Sequence, residues 1–387
     1  MRSVFESRLA ATRRRLAAVD ADLAVCFPSP NLTYLVGFDE SPSERHLLLF
    51  VPTDGPTVLL APTMYEAQLD RCPIDELRLW DDDEEPLAVL ERTVSDLGFD
   101  EASGEPPTVL VDDRMWATFT QDLRSALPRA EFGLASAAIE PLRLKKDDVE
   151  LDALERAGAI ADRVSVAVRS RGRDLVGLTE AELAAEIDRL LTAEGGDEPA
   201  FETIVASGPN GASPHHHGGQ RRIEPGDPIV LDFGTTASAD LEDGTGRYPS
   251  DQTRTVVVGE PSAEFEHVHE IVRDAQEAAV DAVEPGVAAA EIDRVARDVI
   301  DDAGYADAFI HRTGHGVGLE VHEPPYIAAG TDRELEPGMV FSVEPGIYLD
   351  GAFGVRIEDL VVVTDDGADR LNDSPRGWKT GDRFDAP

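Results

Sequence analysis

The run Ile229-Val230-Leu231-Asp232-Phe233-Gly234 constrains this chain more than any other stretch. Its β-branched and apolar residues read as a buried strand, opened by Gly226-Asp227-Pro228 and closed by Gly234. An aspartate lies inside it. A bare carboxylate in a buried strand costs several kcal/mol unless it is paired or bound to a metal. Asp232 therefore needs cationic partners. Downstream lie Ser250-Asp251-Gln252-Thr253-Arg254-Thr255, Gly314-His315-Gly316, Val343-Glu344-Pro345-Gly346 and Arg356-Ile357-Glu358-Asp359. Four carboxylates and one histidine, each in a strand-like or glycine-flanked setting, are a candidate set to close around metal ions.

The chain around this strand divides in two. Its 387 residues exceed a typical single core. Residues 1 to about 140 read as α/β. A helix is expected over Leu9–Val19 and a strand over Leu23–Phe27. Apolar runs at Leu47–Val51 and Thr57–Leu60 flank a Pro-Thr-Asp-Gly-Pro turn, a hairpin signal. A second helix is expected at Leu87–Leu97 and a strand at Thr108–Val111. This half shows no catalytic constellation, and its lone histidine, His46, reads as structural. A boundary falls near Pro141–Lys146. Asp147 with Glu150, and Thr179 with Glu182, make capping boxes for two helices. Strands follow near Phe201–Ala206, Ile229–Phe233 and Arg254–Val258. The pattern then recurs: helices over Ala263–Val283 and Ala289–Ala303, then strands over Met339–Glu344 and Gly354–Val363. Two copies of helix, helix, strands suggest two halves related by pseudo-symmetry, with helices on one side of a curved antiparallel sheet, an α+β domain. Asp232 and Asp251 fall in the first half, Glu344 and Glu358 in the second, so a site at their junction draws on both.

Composition excludes several function classes. The net charge is −42, from 77 acidic against 35 basic residues, and three of the latter are lysines: Lys145, Lys146 and Lys379. Nucleic acid and anionic membranes need basic surface, so neither is an expected partner. The acids are dispersed rather than blocked, as on a solvated surface suited to high salt. Cys26 and Cys72 make no disulfide framework. The start lacks the apolar core of a signal peptide and no apolar run approaches a membrane span. A soluble cytoplasmic protein is expected.

In a strand, residues two apart share a face. Arg356 and Glu358 are thus expected to point the same way, as are Ser342 and Glu344. The oxygen-rich set with one imidazole suits Mn²⁺, Co²⁺ or Fe²⁺ better than a thiolate zinc site. Four carboxylates at close range need compensating charge, which two divalent ions supply. Six of nine histidines crowd into Pro214-His215-His216-His217 and the stretch from His311 through His315 to His322. Three adjacent histidines cannot all face one site. His267 and His269, on the long helix, read as surface residues.

The motifs Leu231-Asp232-Phe233-Gly234, Ser250-Asp251-x-Thr253-Arg254-Thr255, His311-x-x-Gly314-His315-Gly316-x-Gly318-Leu319-x-Val321-His322-Glu323, Val343-Glu344-Pro345-Gly346-x-Tyr348 and Val355-Arg356-Ile357-Glu358-Asp359 stand in one order. In that order they resemble the pita-bread metallopeptidases: aminopeptidase P, prolidase and, more distantly, methionine aminopeptidase. Asn31–Phe38 resembles the creatinase-type N-terminal domain of the proline-specific branch. The resemblance implies a creatinase-like domain over 1–140 and a pita-bread catalytic domain over 141–387. It implies two divalent ions, Mn²⁺ first, with Asp232 on one, His315 and Glu344 on the other, and Asp251 and Glu358 bridging. The ions would lower the pKa of the attacking water and polarise the peptide carbonyl. It further implies Glu344 as proton shuttle and His322 as stabiliser of the tetrahedral intermediate. His215 matches a histidine that follows proline in the family, His311 lines the proline pocket, and Arg356 pairs with a ligand carboxylate. The implied activity is hydrolysis of the Xaa-Pro bond in proline-containing peptides or dipeptides, by a homodimer. One departure is the long interval between Asp232 and Asp251, which carries Asp240, Glu242 and Asp243. Asp243 rivals Asp251 as the bridge; the Thr-Arg-Thr context favours Asp251.

Two other readings compete: creatinase-like carbon–nitrogen hydrolysis without metal, and an inactive pita-bread domain that binds protein. The intact ligand set counts against both, and metal analysis of the purified protein separates them. The dispersed acidity also generates a prediction. The fold is expected to need molar salt to screen self-repulsion, so the melting midpoint should rise with KCl; a flat or falling midpoint would remove this reading.

Overall fold

The computed structural model describes residues 3–99, 105–242 and 244–381. The chain forms two compact units, one of Met1–Arg143 with Asp240–Gly246, the other of Leu144–Ala239 with Arg247–Pro387.

The first unit is built on a six-stranded sheet. Its order is Glu76–Trp80, Val58–Pro62, Leu48–Pro52, Leu23–Cys26, Thr108–Val111 and Glu131–Leu134. The two pairings around Leu48–Pro52 are antiparallel and the outer three are parallel. Leu23, Val25, Leu48, Phe50, Val58 and Leu60 bury their side chains against Leu90, Val94, Phe119 and Leu123 of the helices Pro86–Asp96 and Ala117–Ala126. His46 is buried, bonded to Asp122 at 3.1 Å and tilted against Phe119, the structural role expected of it. Gly37 ends the helix Pro30–Val36 with φ +68°. A Cβ there would meet Phe5 and the backbone of Gly244, and Thr245 N–H donates to the Gly37 carbonyl at 2.7 Å.

The second unit repeats one plan. Both expected capping boxes are made: Asp147 with Glu150 opens the helix Asp148–Ser170, and Thr179 with Glu182 opens Glu180–Ala193. These helices lay Ile160, Val164, Val168, Leu183, Ile187 and Leu191 on Leu231, Phe233 and Val256 of a three-stranded antiparallel sheet. Its order is Gln252–Val257, Pro228–Phe233, Ile204–Ser207. The helices Ala263–Asp281 and Ala289–Asp302 cover Phe341, Val343, Val361 and Ile347 in the same way. The sheet beneath them runs Glu323–Ile327, Gly314–Gly316, Val340–Val343, Asp359–Val363, Ala368–Arg370, beside the hairpin Gly346–Leu349 with Phe353–Arg356. The α+β class with two matched helix–helix–strand halves is the one expected from the sequence. The long interval after Asp232 is a hairpin, Thr236–Ser238 paired with Arg247–Pro249.

Two expectations change. The strand read as continuous over Gly354–Val363 is two strands, Phe353–Arg356 and Asp359–Val363, which enter different sheets. Ile357 and Glu358 make the break, and the Glu358 N–H donates to the Thr253 carbonyl instead of continuing a ladder. The second concerns His269, read with His267 as a surface residue of the long helix. It is 2% exposed, packed against Phe265, whereas His267 is exposed. His269 stands four residues after Phe265 and three before Val272, on the buried stripe of the helix, so helical spacing places it inside.

Burial, then the cationic Arg273 and Arg169, push the His269 pKa down to about 3. The unfolded chain would titrate near ~6.5. In that interval the unfolded state holds a proton that the native state lacks, so stability is complete above the unfolded value and drains as pH falls. Between about pH 7 and about pH 5 this group alone accounts for about 2 kcal/mol. His269→Leu is therefore expected to lose about 2 kcal/mol less than the wild type over that interval in denaturant titrations at constant salt. Parallel pH dependences would exclude it.

Candidate metal centre and substrate cavity

The strand ends of the second unit deliver the acidic side chains to one cavity. Asp232 pairs with Thr253 across the Pro228–Phe233 and Gln252–Val257 strands, and Val343 pairs with Asp359 in the other sheet. Glycines let the strands approach: a Cβ on Gly234 would lie 1.9 Å from the Ser250 carbonyl oxygen, and one on Gly314 would lie 1.8 Å from that of Ser342. These contacts set Asp251 beside the strand of Asp232, and His315 beside the strand that leads into Glu344. The cavity, of about 410 Å³, is lined by Asp232, Asp251, His315, Glu344 and Glu358 together with His215, His311, His322 and Arg356. The favoured ligand and substrate residues nominated from the sequence thus line one cavity.

Ligand atoms of Asp251, His315 and Glu358 lie within 4.8 Å of one another. His315 Nε2 is 3.7 Å from Asp251 Oδ2 and 3.4 Å from Glu344 Oε1. Its Nδ1 lies 3.2 Å from the Gly316 carbonyl oxygen, which fixes Nδ1 as the protonated nitrogen. Burial, then the neighbouring His322, push the His315 pKa down to about 3, so the ring is neutral. A lone pair on Nε2 consequently faces two carboxylates. Acceptors facing acceptors in a buried place call for a cation among them.

The carboxylates carry the same message. Burial raises the pKa of Asp251 and Glu358 well above the ordinary range, and the neighbouring acids add to it. Burial likewise pushes Glu344 up to about 7. Asp232 Oδ1 and Glu358 Oε1 are buried with no hydrogen-bond partner among the described residues. Their other oxygens are held: Arg356 Nη2 donates to Asp232 Oδ2 at 2.6 Å, and Thr253 Oγ1 donates to Glu358 Oε2 at 2.6 Å. One oxygen anchored and one left over, on acids that repel each other, is a donor set that fits divalent ions.

Arg356 joins this set to the substrate side. Besides Asp232, it donates through Nε to Thr253 Oγ1 at 3.0 Å and through Nη1 to the Tyr348 hydroxyl oxygen at 2.8 Å. The Tyr348 hydroxyl in turn lies 2.8 Å from His311 Nε2. His311 Nδ1, 2.7 Å from the Arg312 carbonyl oxygen, must carry the proton, so Nε2 accepts from Tyr348. Burial and the nearby arginines hold the His311 pKa down at about 4, in keeping with a neutral ring. Phe309 packs edge-on at 5.2 Å, making an aromatic wall with Tyr348. Its backbone is pinned by Arg297, which donates to the Phe309 and His311 carbonyls and pairs with Asp293 at 2.8 Å. Behind Glu358, Asp359 is buried among Arg254, Arg370 and Arg376, and Arg254 also donates to the Glu358 carbonyl at 2.6 Å.

The three adjacent histidines all line the cavity, against the expectation that they could not share one site, and they differ in their partners. His216 Nε2 lies 2.9 Å from Glu180 Oε2, and His217 Nδ1 lies 3.1 Å from the exposed Glu202. His215 and His322 are exposed to the cavity, and His322 meets the His315 ring edge-on at 4.0 Å. Asp243 lies outside the described residues. Sequence reasoning gave no role to Tyr348, Thr253, Glu180 or Asp293. Tyr348 and Thr253 stood inside quoted motifs, which was signal enough to ask what they bond; the other two sat on helices with nothing to mark them.

The chain matches Metallopeptidase family M24 over residues 152–365 and the Creatinase/Prolidase N-terminal domain over residues 8–145. It is 42% identical over 381 residues to a probable dipeptidase PepE of Mycobacterium tuberculosis, covering 96% of each chain. It is 37% identical over 351 residues to an Xaa-Pro dipeptidase of Lactobacillus helveticus, covering 89% of this chain and 91% of that one. The crystal structure of a prolidase from Thermococcus sibiricus superposes with a TM-score of 0.88 at 38% identity, over 97% of this chain and 99% of that one. The protein belongs to metallopeptidase family M24, with a creatinase-type N-terminal domain, and members of that family depend on divalent metal.

A bridging carboxylate touches both ions, so its removal should disturb both. Asp251→Asn is expected to lose most bound metal after dialysis and to lose activity, because the amide neither bridges nor supplies charge. Asp243→Asn should keep both. Metal quantification on the two variants decides, and the reverse outcome would reassign the bridge.

Proposed function

We propose that this chain is a two-metal Xaa-Pro dipeptidase whose ions would be held by Asp232, Asp251, His315, Glu344 and Glu358. The observation that carries the reading is the arrangement of buried acceptors around His315 Nε2, joined through Arg356 and Tyr348 to the aromatic wall at His311. The names of the relatives, dipeptidase and prolidase, support the dipeptide as substrate.

Bound there, the ions would supply Lewis acidity, activating water and polarising the scissile carbonyl. The chain's own residues do the rest. His311 lines the cavity as the face against which a proline ring packs, with Phe309 and Tyr348 buried beside it and holding its ring in place. Arg356 holds Asp232 and Tyr348 in one geometry, so that the metal side and the proline side keep a fixed separation. Glu344 takes the proton of the attacking water and passes it to the departing proline nitrogen. His322, on the exposed side of His315, donates to the carbonyl oxygen as negative charge develops there. His215, across the cavity, contacts the substrate from the opposite loop.

The oxygen-rich set favours Mn²⁺, with Co²⁺ and Fe²⁺ as its chemical neighbours. A homodimer follows from the resemblance to the prolidase branch. A cytoplasmic setting agrees with Cys26 and Cys72, which are both free thiols. Dispersed acidity supports high salt as the working medium. Among the described residues, no helix is long and apolar enough to cross a membrane.

The test is a substrate series in molar KCl. Metal-depleted protein should be silent, and added Mn²⁺ should restore hydrolysis of an Xaa-Pro dipeptide at least about tenfold faster than of an Xaa-Pro tripeptide. Preference for the longer peptide would make it an aminopeptidase, and no hydrolysis of either would overturn the reading.

A further inference from the structure

Residues 213–221, which carry His215, belong to no helix or strand. Something other than a backbone ladder must give this segment its shape. Glu180, the first residue of its helix, is fully buried. Its Oε1 accepts from Ser207 N–H at 2.7 Å, from Ser207 Oγ at 2.8 Å and from Asn210 Nδ2 at 3.0 Å. Its Oε2 accepts from His216 Nε2 at 2.9 Å, from Asn210 Nδ2 at 3.1 Å and from Gly219 N–H at 3.2 Å. The backbone adds to it: Glu180 N–H donates to the Arg221 carbonyl at 3.0 Å and Ala181 N–H to that of Gly219 at 3.1 Å. The Glu180 carboxylate thus ties Ser207 and Asn210, ahead of the segment, to His216 and Gly219 within it, and the Glu180 backbone ties its exit at Arg221.

We propose that Glu180 is a positioning residue for substrate recognition: by holding His216 and Gly219 it fixes the turn that presents His215 to the cavity. The physical ground is that Pro214 and His215 sit in a turn, closed by His216 N–H donating to the Ser213 carbonyl at 3.2 Å, so that fixing the His216 ring fixes the turn that carries His215. His216 is held with its side chain 21% exposed, and His215, next to it in the turn, is more exposed along the same cavity. Burial would raise the Glu180 pKa, but the donors from Ser207, His216 and Asn210 hold it below the ordinary carboxylate value, so the acceptor stays ionised. Glutamine has the same shape and cannot replace it. Its amide nitrogen, turned to either side, sets N–H against donors that already need an acceptor. The inference rests on the reading of His215 as a substrate contact.

The test is a double-mutant cycle in the metal-loaded full-length enzyme on an Xaa-Pro dipeptide, with Glu180→Gln, His215→Ala and both together. Glu180→Gln is expected to raise KM roughly tenfold with kcat within about twofold and metal content unchanged, since it disturbs binding rather than chemistry. In the His215→Ala background the same change should add little, because it acts through His215. Multiplicative losses, an unchanged KM, or a fall in kcat alone would overturn it. His215→Ala with wild-type kinetics would remove the reading on which it rests, and that single variant reports this separately. Should Glu180→Gln fail to melt cooperatively, His216→Leu takes its place in the cycle with the same expectation, and additivity there would overturn the proposal equally.

Discussion

The mutual repulsion of four buried acids governs this structure. Asp232, Asp251, Glu344 and Glu358 meet in one cavity, and burial and proximity together push Asp251, Glu344 and Glu358 toward protonation. An uncompensated buried charge costs several kcal/mol. The chain meets that cost by anchoring one oxygen of Asp232 and of Glu358 to its own donors and leaving the other to face the cavity. Cations entering there bind the folded state and not the unfolded one, so metal affinity and fold stability are linked.

Arg356 is the part that makes this arrangement useful. A single guanidinium reaches Asp232, Thr253 and Tyr348, and through the last two it reaches Glu358 and His311. Its planar fork fixes directions as well as charge, which an ammonium would not. The donor directions run one way from Arg356 to the Arg312 carbonyl, so His311 is held as a single neutral tautomer. Ligand geometry and the wall of the substrate cavity are therefore set by the same side chain.

Rigid and adjustable parts divide by element. The acids and His315 come from strands or their ends and are mostly buried. His215 and His322, which line the cavity, come from irregular segments and are exposed. Each of those segments has a buried ionic anchor next to its histidine: Glu180 against His216, and Lys146 with Glu323 at 2.8 Å. Loops that carry recognition are here held by charge at the base, with the tips left open.

Local signals determined what the sequence alone could reveal. Asp232 stood out because a strand pattern and a carboxylate conflict within six residues, and the two capping boxes were readable because each spans three positions. The candidate site was legible because each ligand sits in a short motif of its own. Tertiary structure alone decided how those motifs bond. Arg356 finds Asp232 across 124 positions and Thr253 finds Glu358 across 105, distances over which no periodicity speaks. The break at Ile357–Glu358 and the capture of His216 by Glu180 followed from contacts with remote elements. A side chain's partners depend on which distant surfaces meet, and that is fixed only when the whole core closes.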